Sequence, residues 1–198
     1  RIIFINARCL PLIALNKVIN ELPVDTGLTD GNSVVAAHLN GHQARCLLEG
    51  ASNGWWATDE SSRLTPSIQW QSTTVKLAEF PWHWLEALCD CLIEQALDAF
   101  KPGNIHCLPH STTVAINESR ILIEANTTID PFTVIDASTG PVIIERDCRI
   151  ESFSVIHGPA FIGCGSTVKS HSSIRGGVSI GRHCKVGGEL SHCMIGDF

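Results

Sequence analysis

The chain has 198 residues, room for one or two domains, with a net charge of −6 and 44% apolar residues. That balance is ordinary for a folded globular chain, and with no basic run interleaved with aromatics it argues against a general nucleic-acid binder. No apolar run reaches the ~18 residues of a membrane span. The opening segment carries Asn6 and Arg8 and no small-residue cleavage site, so it is not read as a signal peptide.

In chain order, residues 1–15 read as a buried strand, Ile2-Ile3-Phe4-Ile5, followed by a turn at Pro11, and residues 16–30 read as loops. Val34 to Leu39 and Gln43 to Leu48 are two strand-like runs with Asn40-Gly41 between them, which predicts a hairpin. Residues 49–79 are polar and irregular, an excursion packed by Trp55, Trp56 and Trp70. Pro81 to Phe100 predicts a helix, with Pro81 in its first turn and an apolar face of Leu85, Leu88, Cys89, Leu92, Ile93, Ala96 and Phe100. Lys101-Pro102-Gly103 stops it. A connector with His106, Pro109 and His110 leads on to residue 120.

From there one pattern governs the chain. Aliphatic residues stand six apart at Ile144, Ile150, Ile156, Ile162, Val168, Ile174, Ile180 and Val186, and the same beat holds at Ile123, Ile129, Ile135 and Ile195. The gaps Ile135–Ile144 and Val186–Ile195 are both nine, read as six plus a three-residue insertion. The fourth residue after each aliphatic is small, among them Thr127, Thr139, Cys148, Ser154, Ser166, Ser172 and Cys184, with Leu190 the large exception. Neither a strand nor a helix repeats every six residues. Short strands and corners wound into a coil do, with aliphatic and small side chains inward and Gly or charge at the corners. Cys148 and Cys184 thereby become core residues. Nine cysteines with no C-x-x-C pair fit free thiols in a cytoplasmic protein better than a disulfide framework or structural zinc.

This repeat resembles the hexapeptide-repeat left-handed parallel β-helix. Three segments are similar to a narrower group: Phe4 to Leu12, like the strand-to-loop segment of sugar-1-phosphate nucleotidyltransferases; Phe80-Pro81-Trp82 opening a helix that closes on Asp98-Ala99-Phe100; and Gly158-Pro159, Ile162-Gly163, Ile180-Gly181 and Val186-Gly187-Gly188-Glu189 in the repeat. Their order resembles the GlmU-like family of bifunctional uridyltransferase/acetyltransferase proteins. The resemblance implies an α+β remnant of a nucleotidyltransferase domain over 1–80, a linker helix and connector over 81–120, and a left-handed β-helix over 121–198. It implies an enzyme that joins a nucleoside triphosphate and a sugar 1-phosphate with Mg²⁺, with acyl-CoA as a donor for the β-helix, and assembly as a homotrimer with no nucleic-acid or membrane partner.

This sequence departs from that pattern. No Gly-rich phosphate loop is present, and Arg8 stands where relatives carry an acidic Mg²⁺ ligand. The chain starts at Arg1 and stops at Phe198 as the repeat restarts, so it is expected to be a piece cut at both ends that is itself inactive. No catalytic residue and no metal ligand is assigned: His157, His171, His183 and His192 read as corner histidines, His171 with Glu189 being one coil apart. Lys185, Gly187, Gly188 and Glu189 are the candidate substrate-binding residues, because paired glycines admit close approach of a ligand to backbone. Two further readings stay open: an acyltransferase acting on an amino sugar, and a non-catalytic trimerising scaffold. A metal-dependent lyase is more distant.

Overall fold

A computed structural model describes residues 2–9, 13–30, 33–45, 68–75, 77–99 and 112–198. Pro11, Trp55, Trp56, Phe100 to Gly103, His106, Pro109 and His110 lie outside these. The chain divides into two compact units between Phe80 and Pro81.

The first unit holds a four-stranded sheet of β1 (Ile2–Ile5), β2 (Thr26–Thr29), β3 (Val34–Leu39) and β4 (Gln69–Ser72), in the order β1-β3-β2-β4. β3 pairs antiparallel with β1 and β2, and β4 pairs parallel with β2. β1 is an edge strand rather than a buried one: Ile2 and Ile5 are 45% and 49% exposed. Helix α1 (Ile13–Glu21) occupies residues read as turn and loop. Leu15, Ile19 and Leu22, three to four apart, bury its face beneath Leu28, Val35 and Ala36.

Asn40-Gly41 is not a hairpin turn. The Asn40 side-chain oxygen accepts from the His42 and Gln43 amides, and the Gln43 side chain accepts from the Asn40 amide. This reciprocal pair is a capping box, and it starts a helical turn over 41–45. The rest of that run, to Leu48, lies outside the described residues. Residues 69–72, read as part of an irregular excursion, form strand β4 instead, and the Trp70 ring covers Gly27, where a β-carbon would stand 2.2 Å from it.

In the second unit, helix α2 (Pro81–Ala99) buries Leu88, Cys91, Leu92 and Ala96, while Leu85 stays exposed. Beyond it lies a parallel β-solenoid of about five turns. Sheet 1 contains β6 (Ile121–Ile123), β9 (Val142–Ile144), β12 (Ala160–Ile162), β15 (Val178–Ile180) and β18 (Cys193–Ile195). Sheet 2 contains β7 (Thr128–Ile129), β10 (Arg149–Ile150), β13 (Thr167–Val168) and β16 (Lys185–Val186). Sheet 3 contains β5 (Val114–Ile116), β8 (Val134–Asp136), β11 (Val155–His157), β14 (Ser173–Ile174) and β17 (Glu189–Leu190).

The aliphatic leaders from Ile129 to Ile180 are fully buried in one column, each stacked on the equivalent residue of the next coil. The small positions close the column: Thr133, Ser154, Ser166 and Ser172 are at most 1% exposed, Cys148 2% and Cys184 6%. The hydroxyls of Thr133, Ser154, Ser166 and Ser172 donate to backbone carbonyls; Ser154 Oγ, for example, lies within reach of the Glu151 and Lys169 carbonyls. α2 covers part of the outer face of sheet 1, where Ala96 packs on Leu122 and Ile143 with Phe161 alongside.

The two gaps in the beat differ. At Ile135–Ile144 the corner between sheets 3 and 1 is lengthened by three residues, as expected; Ala137 fills the core and Thr139 is exposed. At Val186–Ile195 there is no insertion. Leu190 pairs with Ile174 and Ile195 with Ile180, so Leu190 is itself a leader. Two successive repeats are shortened instead, and Gly187-Gly188 crosses in two residues a corner that Lys169 to Ser172 crosses in four.

Candidate functional site

The corner from sheet 1 to sheet 2 is built from residues 124–127, 145–148, 163–166, 181–184 and 196–198. In the earlier coils a carboxylate at the first corner position caps an amide of the next coil. Glu124 accepts from the Arg146 amide at 3.1 Å, and Glu145 from the Cys164 amide at 2.8 Å. Gly163 and Gly181 interrupt this ladder. A β-carbon on Gly163 would lie 2.7 Å from the Gly181 carbonyl carbon, so the coils meet there backbone to backbone. The Arg182 amide is capped from the following coil, by Asp197 at 2.7 Å.

The interruption leaves a groove of about 740 Å³, lined among others by Glu145, Arg146, Cys164, Arg182, His183 and Asp197. Phe161, Ser179 and Ile195 add a less polar side. The Arg146 and Arg182 guanidiniums reach Asp147 at 3.8 Å and Asp197 at 3.2 Å, in exposed pairs that contribute little stability and leave donors for a ligand. The Cys164 thiol beside Arg146 raises the guanidinium pKa above its ordinary value. The Arg182 amide, then the Arg182 charge, hold the Asp197 carboxyl below its ordinary value. His183 sits in left-handed backbone (φ 57) at the groove. The set brings two guanidiniums, each paired with a carboxylate, and an imidazole to one groove beside Glu124 and Glu145, so a ligand that carries both donors and acceptors suits it.

Lys185, Gly187, Gly188 and Glu189 do not line this groove. They occupy the end of β16, the shortened corner and the start of β17, between sheets 2 and 3. Lys185 faces outward and makes no ion pair among the described residues. Glu189 is held by Arg175 at 2.6 Å and does not face His171 as a metal partner. His171 instead stacks on Phe153, which stacks on Phe132. His157 lies 3.5 Å from Asp136 on sheet 3.

Sequence reasoning missed the third residue after each leader. Asn126, Phe132, Asp147, Phe153, His171 and His183 all lie there with φ between 57 and 61, and Gly165 and Gly177 share the position. The signal was the run of Asn, Asp, His and Gly at that offset, residue types that tolerate left-handed backbone.

The resemblance implies Mg²⁺ held against the nucleotide phosphates by one or two carboxylates, and Arg8 stands at one such position. Among the described residues no group of three or more His, Cys, Asp or Glu side chains could hold a metal. Arg8 is a cation and reaches Ser33 Oγ at 3.3 Å, while Asn6 is tied to the Val34 carbonyl. The seven described cysteines are free thiols. Among the described residues no helix is long and apolar enough to cross a membrane. No family profile, curated protein or solved structure matches the chain.

Proposed function

We propose that this chain belongs to a sugar-nucleotide transferase in which a nucleotidyltransferase-type unit precedes a left-handed hexapeptide-repeat solenoid that acylates an amino sugar. The observation that carries this reading is the solenoid groove, whose lining includes Arg146, Arg182 and His183. Two guanidiniums suit a sugar phosphate. His183 takes a proton from the attacking amine as that nitrogen bonds the acyl carbon, and returns it to the sulfur as the C–S bond of the acyl donor breaks, releasing the thiol. The order of sheet-containing unit, helix and solenoid supports the nucleotidyltransferase half, in which a sugar 1-phosphate displaces pyrophosphate from a nucleoside triphosphate.

The test uses the full-length gene product. Thiol release from acetyl-CoA with glucosamine 1-phosphate is expected, reduced about 100-fold in kcat by His183→Ala, with KM raised in Arg146→Ala and Arg182→Ala. Pyrophosphate release from a nucleoside triphosphate and a sugar 1-phosphate tests the first half separately. Absence of both reactions defeats the proposal.

One observation favours a scaffold reading. Val114, Val134 and Val155 pair in line across sheet 3, pointing outward, and Val114 and Ile116 are 51% and 42% exposed. A flat apolar stripe of this kind suits packing between copies in a homotrimer. A trimer by analytical ultracentrifugation, without either activity, selects it.

A further inference from the structure

The corner between sheets 2 and 3 carries an exposed ladder of rings. Phe132 and Phe153 stack with centroids 5.2 Å apart and planes 8° apart; Phe153 and His171 follow at 5.1 Å and 7°. Each ring stands on the third corner residue of its coil, in left-handed backbone. The phenylalanines are 56% and 51% exposed, and His171 is exposed as well. Coil stacking brings the rings face to face at the inter-strand spacing.

The fourth coil supplies no ring. Val186 accepts from the Lys169 amide and Gly188 from the Ser173 amide, so Gly187 stands over Lys169 and Gly188 over Ser172. Nothing in the fourth coil stands over Ser170 or His171. At Gly187 a β-carbon would lie 3.2 Å from the Lys169 β-carbon, a tight contact. Gly188 has open space around it: a β-carbon there would meet nothing within 4 Å. The ladder therefore ends in a ledge, with one face of the His171 ring turned away from Phe153 and no side chain above it on the next coil.

The charges at the ledge are unequal. Glu151 is held by Lys169 at 3.0 Å and Glu189 by Arg175 at 2.6 Å. Lys185, outward on the strand entering Gly187-Gly188, remains uncompensated among the described residues.

We infer that this ledge binds a nucleotide, its base stacked on the His171 ring beside Gly188 and its phosphate paired with Lys185. A base offers the flat π face that the ladder repeats, and stacking of this kind accepts any base. The phosphate meets Lys185, the one excess positive charge at the corner among the described residues. The ledge lies at a different corner from the groove, so the inference stands without the acyl-transfer reading.

The experiment titrates AMP, UMP and ribose 5-phosphate into the 198-residue chain while following imidazole resonances by NMR. The His171 signal is identified as the one missing from His171→Phe. Upfield ring-current shifts of that signal with AMP and UMP, but not with ribose 5-phosphate, are expected. His171→Ala is expected to weaken AMP binding about tenfold, His171→Phe to keep it, and Lys185→Ala to weaken it about threefold. No shift at millimolar AMP overturns the inference. So does equal binding of ribose 5-phosphate, or unchanged AMP affinity in His171→Ala. Should His171→Ala not fold, retained binding in His171→Phe beside a loss in Lys185→Ala supports the site, and loss in His171→Phe overturns it.

Discussion

A phenylalanine at φ 61 is unusual, because left-handed backbone crowds the β-carbon against the following carbonyl. Phe153 holds that conformation between two stacked rings. Removing the ring while keeping the β-carbon loses the stack and retains the strain; removing both relieves it. Phe153→Gly is therefore expected to be more stable than Phe153→Ala by about 1 kcal/mol, the reverse of the ordinary order. Urea denaturation of the pair decides it, and Ala ranking above Gly refutes the account. Cys148 makes a second prediction at this scale. Burial pushes its thiol from an ordinary 9.0 to about 11, and it donates toward the Gly163 carbonyl at 3.2 Å. The native state thus keeps its proton more tightly than the unfolded chain does. Its contribution to stability is whole below pH 9.0 and is lost as pH rises to about 11. Cys148→Ala should lack that part of the alkaline decline. An identical pH profile in denaturant melts would count against it.

At the scale of elements, α2 packs on sheet 1 through Ala96 with Leu122 and Ile143, and through Cys89 beside Gly177. Ala96→Glu would bury a carboxylate without a partner and is expected to cost about 3 kcal/mol or more, or to detach the helix. A protein that keeps wild-type stability and shows no new protease cleavage in residues 81–99 would contradict this. The leaders from Ile144 to Val186 and the longer corner at Ile135–Ile144 were legible in the sequence, because every rung repeats the same inward side chain. Leu190 was not. Period counting assumes corners of fixed length, and Leu190, four residues after Val186, falls in phase with the small positions. Only its pairing with Ile174 shows it to be a leader. In the first unit Asn40-Gly41 satisfied the hairpin rule, yet Gln43 three residues after Asn40 was a helix-start signal of equal validity. α1 was hidden because Leu15, Ile19 and Leu22 straddle two segments that were read separately. The groove was illegible for another reason: its residues are one coil apart, and no linear motif joins Arg146, Cys164 and His183.

For the whole molecule, the two units keep separate cores. The solenoid column draws every buried member from residues 121–186, and the first unit packs its own clusters around β3. Residues 81–198 are expected to fold without residues 1–80, giving a β-rich circular dichroism spectrum and a cooperative melt. Failure of that segment to melt cooperatively, in soluble form, would show that the column needs the first unit.

The solenoid's edges are not alike. Between sheets 2 and 3, Asp130–Arg149 and Glu151–Lys169 ion pairs and the ring stack lace one coil to the next. Between sheets 1 and 2 the carboxylate ladder of Glu124 and Glu145 skips the step where Gly163 and Gly181 meet backbone to backbone, and resumes at Asp197 on the Arg182 amide. Mechanically the column is a beam with one flange laced by ion pairs and rings and another whose carboxylate ladder skips one step. Bending is expected to meet least side-chain resistance at that glycine step, which borders the groove, and more at the edge that carries the ring ledge.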